Sequence, residues 1–172
     1  MQDDAYTFIK RLFGFSLGPF ISAFLGFIMT PITTWLIVPE EFGKAAMYTT
    51  ALSFASLAMF LGMDQAFVRD FNAEKNKNSL LWNYILPPFI FSLLLALIFL
   101  LFGETLSQLL FADHEKFIIN ILALSIPLTV FQRFNLLLIR MQEKARLYSL
   151  ITVLIRIIDL PLLILFLLFF ER

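Results

Sequence analysis

Four long stretches without a charged residue constrain this chain more than any other feature of its sequence. They cover residues 12–39, 45–63, 78–103 and 117–132. A helix that crosses the hydrocarbon core of a bilayer, roughly 30 Å thick, needs about 20 mostly apolar residues. Of the 172 residues, 60% are hydrophobic and only 15% are charged, whereas about a quarter are charged in soluble domains. The sequence therefore predicts an all-α membrane protein.

Five transmembrane helices are predicted, with breaks where charged residues cluster. The predicted spans are residues 12–38, 42–71, 80–102, 117–139 and 147–170. None of the breaks is long enough to fold as a soluble domain, so residues 1–172 are expected to form a single membrane domain. The third span is apolar all round apart from Ser92 and its first turn, and we expect it to face lipid.

The distribution of Lys and Arg predicts the orientation of the spans. One side of the membrane would carry Lys10, Arg11, Arg69, Lys75, Lys77, Arg140, Lys144 and Arg146; the other would carry Lys44, Lys116 and Arg172. Cytoplasmic loops are enriched in basic residues. We therefore expect a cytoplasmic N-terminus.

Composition argues against several other functions. Lys+Arg and Asp+Glu number 13 each, and this balance does not favour a nucleic-acid partner. The absence of cysteine excludes disulfides, thiol nucleophiles and cysteine-based metal sites. His114, the only histidine, is expected to be a solvated loop residue. No phosphate-binding loop, zinc-protease motif or nucleophile elbow is present, so we predict no enzyme, no metal and no cofactor.

Small residues recur at every fourth position in the first predicted span. These are Gly14, Gly18, Ser22 and Gly26. Such a stripe forms a groove in which the backbone of another helix can approach closely. It predicts packing and no chemistry.

Two arginines inside apolar spans are the strongest candidates for a binding site. A charged residue at the bilayer centre costs about 2.5–3.5 kcal/mol and usually faces a cavity or a charged partner. Asp159 follows Arg156 by three residues on the same helix face and could neutralise it, so structural pairing and binding both remain open there. Arg133 has no acid within four residues, and we expect it to face a water-filled cavity beside Gln132.

Asp64 is the candidate for a gate, because it lies deeper in the second span than a helix-end charge needs to. Arg69 would sit at the cytoplasmic headgroups and point away from Asp64 around the helix. We therefore expect the partner of Asp64 on another helix, with Arg140 and Arg146 as the candidates. Ser and Thr side chains form stripes along three spans: Thr49, Ser53 and Ser56 on the second, Ser125 and Thr129 on the fourth, and Ser149 and Thr152 on the fifth. We expect these hydroxyl stripes to join helices together.

Residues 39–71 resemble the bacterial polysaccharide flippases of the O-antigen and exopolysaccharide type. These belong to the multidrug/oligosaccharidyl-lipid/polysaccharide exporter superfamily. The resemblance rests on a "PEEFG" turn followed by a helix that ends in "GMDQAFVR". These motifs comprise Pro39, Glu40, Glu41, Phe42 and Gly43, then Gly62, Met63, Asp64, Ala66, Phe67 and Arg69.

The resemblance implies a flippase in the bacterial inner membrane that carries polyprenyl-diphosphate-linked oligosaccharide by alternating access. Its members have two helical lobes, so five spans would supply most of one lobe, and the partner would be the remaining half of the transporter or a second copy. Arg133, Arg156 and Gln132 would bind substrate, while Asp64, Asp159 and Arg69 would serve as gate or ion site. Two alternatives remain: a cation-coupled drug exporter that uses Asp64 or Asp159, and an oligomeric membrane subunit that transports nothing.

Overall fold

The computed structural model describes the backbone of residues 2–111 and 116–170 and the side chains of residues 13–111 and 116–158. Within that part of the chain every regular element is a helix, which confirms the predicted all-α class. The helices are α1 (Gln2–Leu36), α2 (Pro39–Phe60), α3 (Met63–Asp70), α4 (Lys77–Leu101), α5 (Gly103–Phe111), α6 (Phe117–Met141) and α7 (Ala145–Phe170).

The described residues contain three or four candidate membrane spans. Phe13–Leu36, Lys77–Leu101 and Phe117–Met141 are long and apolar enough to cross a membrane, and α2 with α3 forms a fourth candidate that is bent by 52°. The backbone of α7 covers the fifth predicted span, but its side chains from residue 159 onward lie outside the described part. The structure therefore supports a multi-pass membrane protein, and the count of five remains a prediction.

The chain divides into two compact units. The first consists of Met1–Phe42 and Gln142–Arg172, and the second of Gly43–Met141. In the first unit α1 packs along α7, and three residues of the small-residue stripe, Gly14, Gly18 and Ser22, contact α7. Ser149 of α7 inserts its hydroxyl into the α1 backbone, since Ser149 Oγ accepts from Gly18 N at 3.1 Å and donates to Gly14 O at 2.6 Å. Farther along α1, Ser22 Oγ donates to Thr152 O at 3.3 Å.

The second unit is built around the packing of α4 against α6. The buried side chains of its core include Leu80, Ile85, Ile126, Val130, Phe134 and Leu137. The opposite face of α4 exposes large apolar side chains, among them Leu86, Leu94, Leu97 and Leu101. Exposed apolar residues in such number suit a lipid surface. The third predicted span thus has a face available to lipid, and its other face, including the fully buried Ser92, packs inside the unit.

The segment after α4, which the sequence suggested was a loop, begins with the short helix α5. Its residues Gly103, Ser107 and Phe111 are buried, and the helix packs on α4 and α6. Its charged residues made "GETLSQLLFADHEK" one of the breaks between predicted spans, but the spacing of these three positions gives α5 one buried face. His114 lies outside the described residues.

The second predicted span is not one continuous helix, so the prediction of a single helix over 42–71 is wrong. It breaks at Leu61 and Gly62, whose φ angles are 44° and 81°. Glycine adopts this left-handed conformation without a steric penalty and commonly ends helices. Asp64 then lies in the first turn of α3, where a carboxylate interacts favourably with the helix dipole. Glycine at the end of one helix and an acidic residue in the first turn of the next indicate a helix boundary. The prediction from uncharged stretches alone did not use this signal.

Candidate functional site

An ion pair lies directly after the break between α2 and α3. Arg133 on α6 places Nη2 at 2.8 Å and Nε at 3.3 Å from Asp64 Oδ2. The other carboxylate oxygen, Asp64 Oδ1, accepts a hydrogen bond from Gln65 N at 2.9 Å. The side chain of Asp64 is 12% exposed and that of Arg133 is 56% exposed. The carboxylate is therefore enclosed, while the guanidinium remains open on one side.

This pair corrects one expectation and confirms part of another. The partner of Asp64 is on a different helix, as predicted, but it is Arg133 rather than Arg140 or Arg146. The sequence could not reveal the pair, because Asp64 and Arg133 are separated by 69 positions. Two residues assigned to separate roles, gate and substrate contact, thus lie in one site.

Aromatic side chains form the floor of this site. Phe67 and Phe134 are fully buried, and their ring centroids are 5.8 Å apart in an edge-on arrangement. Phe60 packs on Phe134 at 6.1 Å, and Tyr84 packs on Phe67 at 6.0 Å. Edge-to-face contacts of this kind stabilise the packing beyond area burial alone. The charged pair therefore lies beside a packed aromatic cluster to which α2, α3, α4 and α6 each contribute a ring.

A second charged cluster closes the end of the α3–α4 hairpin. Arg69 Nε bonds Asp70 Oδ1 at 2.8 Å, and the Tyr84 hydroxyl donates to Asp70 Oδ2. The side chain of Arg69 is 77% exposed. As expected, Arg69 does not approach Asp64; it pairs with its own neighbour. Its contacts in the structure are those of a residue at a helix end, and a role in gating remains a proposal.

The connection between α3 and α4 is fixed by local hydrogen bonds. Asn76 caps α4, because its Oδ1 accepts from Ser79 N at 3.1 Å. Glu74 Oε1 accepts from the backbone nitrogens of Lys75 and Asn76. Lys77 Nζ donates to Glu74 O at 2.6 Å and lies 4.4 Å from the centre of the Phe71 ring. This charged turn holds the short helix α3 against the start of α4.

The remaining predicted site residues are distributed differently. Gln132 is exposed next to Arg133 on α6. Arg156 is exposed on α7, in the other compact unit. The side chain of Asp159 lies outside the described residues, so its expected pairing with Arg156 remains a prediction. Of the six predicted residues, the structure brings together Asp64, Arg133 and, beside them, Gln132.

The hydroxyl stripes mainly satisfy helix backbones. Ser53, Ser56 and Thr129 each donate to the carbonyl four residues earlier in their own helix, at 2.7–2.8 Å. Tyr48 on α2 donates to Ser125 Oγ on α6 at 2.6 Å. Of these contacts only the one between Tyr48 and Ser125 joins two helices, as interhelical hydrogen bonds do in membrane bundles. For Ser53, Ser56 and Thr129 the hydrogen bonds stay within one helix.

An open groove of about 250 Å³ lies on α2, away from the ion pair. Its lining residues are Thr49, Thr50, Ser53, Phe54 and Leu57. The groove does not include Arg133, so the water-filled cavity expected around that residue remains a prediction. Within the described residues no three His, Asp or Glu side chains cluster closely enough to hold a metal ion.

The fold and the site are those of a multi-pass helical membrane protein in which an arginine of α6 pairs with an aspartate of α3. The chain matches the family described as polysaccharide biosynthesis protein over residues 9–171, and it belongs to that family. The family resemblance recognised in residues 39–71 is thereby confirmed.

A curated transport protein is similar to part of the chain. Over 105 residues the chain is 30% identical to the succinoglycan biosynthesis transport protein ExoT of Rhizobium meliloti (strain 1021). The match covers 60% of this chain and only 20% of that relative's length. No solved structure matches the chain significantly.

Proposed function

We propose that this protein is a flippase that moves polyprenyl-diphosphate-linked oligosaccharide across the bacterial inner membrane for surface polysaccharide synthesis. Its five spans would form most of one lobe of an alternating-access transporter, completed by further helices or by a second copy. Membership of a polysaccharide biosynthesis family, and a relative named as a transport protein, support transport rather than an enzymatic step.

The half-exposed guanidinium of Arg133 is the observation on which the proposed substrate class rests. It lies within the apolar helix α6, yet 56% of its side chain is exposed. Two of its nitrogens contact Asp64, and arginine has five N–H donors in a planar fork. The outer side of the fork is therefore available to a second anion, and its geometry suits phosphate oxygens.

The other polar residues have supporting roles in this proposal. Gln132 would donate to a phosphate or sugar oxygen next to Arg133, and Arg156 would add a second cation on α7. Arg69 and Asp159 would belong to gates at the ends of the spans. Each of these roles rests on residue type and position within an apolar helix, where polar residues are usually functional.

The cation-coupled drug exporter is less well supported. That function needs an acid that is free to bind a cation or proton, and Asp64 already has Arg133 as its partner. An enclosed carboxylate that is neutralised by a guanidinium gains little from a second cation. The pair therefore favours an anionic substrate.

Export of surface polysaccharide by variants of the complete gene product tests this function. We expect export to fall in the order Arg133, Arg133→Lys, Arg133→Gln, because Lys keeps the charge but loses the planar fork. Arg140→Gln, near the end of the same helix, is the matched control and should export normally. Normal export by Arg133→Gln at normal protein level would remove the anion site from this half of the transporter.

A further inference from the structure

Arg133 contacts both sides of the break in the bent span. Its guanidinium carbon lies 5.9 Å from the centre of the Phe60 ring, the last residue of α2. Its Nη2 lies 2.8 Å from Asp64 Oδ2, in the first turn of α3. A cation over an aromatic ring and a charge-assisted hydrogen bond are both attractive contacts. One side chain of α6 therefore joins the two segments across Leu61 and Gly62.

The neighbouring residue Phe134 makes a second connection across the same break. Its ring is 6.1 Å from that of Phe60 on α2 and 5.8 Å from that of Phe67 on α3. These contacts are apolar and buried, so an incoming anion does not compete with them. Of the two connections, only the one made by Arg133 includes an ionic contact that an anionic ligand can replace.

The exposure of the two charges shows which of them a ligand can reach. Asp64 is 12% exposed and Arg133 is 56% exposed. An anion can therefore reach the guanidinium of Arg133 from its open side, whereas the carboxylate of Asp64 is enclosed. Carboxylates and phosphates both accept charge-assisted hydrogen bonds from arginine, and here Asp64 Oδ2 accepts from both Nε and Nη2. Asp64 occupies the Nε and Nη2 donors, so an anion that binds more than the outer side of the fork has to replace it.

We propose that Asp64 is an internal competitor for the anionic group of the substrate, and that displacing it from Arg133 releases the bend at Leu61 and Gly62. This inference rests on the proposed function, in which Arg133 receives a diphosphate. A ligand shifts a conformational equilibrium only when it binds the two states differently. Here the anion binds tightly to the state in which α3 has left Arg133. Occupancy of the site is thereby coupled to the angle between α2 and α3, which is 52° in the paired state.

Binding of inorganic pyrophosphate to the complete protein in lipid nanodiscs tests the competition. We expect Asp64→Asn to bind pyrophosphate about tenfold more tightly than the unchanged protein, equivalent to about 1.4 kcal/mol. Asp70→Asn is the matched control, because it neutralises an acid on the same short helix that pairs with Arg69 instead. Its affinity for pyrophosphate should not change. Arg133→Gln should abolish binding with either residue at position 64.

The outcomes separate this inference from the proposed function. Binding that survives in Arg133→Gln would contradict the proposed anion site itself. Binding that requires Arg133 but is unchanged by Asp64→Asn would overturn only the competition. A failure of every variant to bind pyrophosphate would overturn both.

The release of the bend is measured separately with spin labels. These 172 residues contain no cysteine. In a protein whose remaining part also lacks cysteine, one cysteine in place of Leu57 on α2 and one in place of Asn72 just after α3 can carry nitroxides at exposed positions. We expect the distance distribution between the labels to shift or broaden when pyrophosphate is added, and to do so without ligand in Asp64→Asn. A distribution that is the same in all three samples would show that Arg133 does not hold the bend.

Discussion

Gly18 on α1 and Ser149 on α7 lie so close together that no side chain fits between them. A Cβ added at Gly18 would be 2.5 Å from Ser149 Cα. The Ser149 hydroxyl bridges Gly18 N and Gly14 O, two groups that bond each other directly in a regular helix. The contact therefore depends on a bare α1 backbone and on one hydroxyl from α7.

Gly18→Ala should destabilise the packing of α1 on α7. The added methyl group meets backbone atoms of α7, which cannot rotate away. Overpacking of this kind lowers the free energy of unfolding by about 1–3 kcal/mol. The midpoint of thermal unfolding in mild detergent should fall. Gly26→Ala is the matched control, because among the described residues no atom of another helix lies within 4 Å of its added Cβ. Equal midpoints for the two variants would show that the α1–α7 contact adds little stability.

Gly62→Ala should strain the break between α2 and α3. Gly62 has a φ of 81°, and nothing lies within 4 Å of an added Cβ, so the cost is one of backbone conformation alone. For alanine it is roughly 1–2 kcal/mol. Gly62→Asn should cost less, since asparagine adopts this conformation more readily.

Gly43→Ala, which also has open space around the added Cβ, is the control for the break. Alanine is favoured over glycine inside a helix by about 1 kcal/mol, and this variant lies in α2 away from the break. It should be as stable as the unchanged protein or slightly more so. If Gly62→Ala were as stable as the unchanged protein, the break would not depend on glycine at position 62.

The predicted orientation can be tested by thiol labelling in intact cells. A cysteine at Asn76, in the turn before α4, should resist a membrane-impermeant reagent, because that turn is expected in the cytoplasm. A cysteine at Glu104, whose side chain is 70% exposed on α5, should react. These 172 residues contain no cysteine, so they contribute no background labelling. The reverse pattern would overturn the assignment from Lys and Arg.

Local patterns in the sequence were sufficient to predict the helical class and one of the packing seams. Long uncharged stretches predicted the membrane helices, and the small residues at 14, 18 and 22 predicted the close contact of α1. Both properties depend on residues that are near each other in the chain. Among the described residues nothing lies within 4 Å of a Cβ added at Gly26, so the contact is seen at three of the four predicted positions.

The central ion pair could not be predicted, because it depends on a bend and on tertiary packing. Asp64 and Arg133 meet only after Leu61 and Gly62 turn α3 away from the α2 axis. Because the sequence predicted one continuous helix over residues 42–71, we expected Asp64 to pair with an arginine at the end of another helix, Arg140 or Arg146. Phe134, next to Arg133 on α6, and Tyr84 on α4 support the site, and neither stood out in a sequence rich in apolar residues.

Flipping of a fluorescent lipid-linked oligosaccharide in proteoliposomes tests most directly whether Asp64 and Arg133 act as one unit. The measurement compares the unchanged complete protein with Asp64→Asn, Arg133→Gln and the double variant. Residues in contact show coupling energies of about 0.5–3 kcal/mol. If Asp64 acts only through Arg133, the double variant should flip lipid at the same reduced rate as Arg133→Gln alone. A double variant whose defect is the product of the two single defects would show that the residues act independently, and would contradict this account.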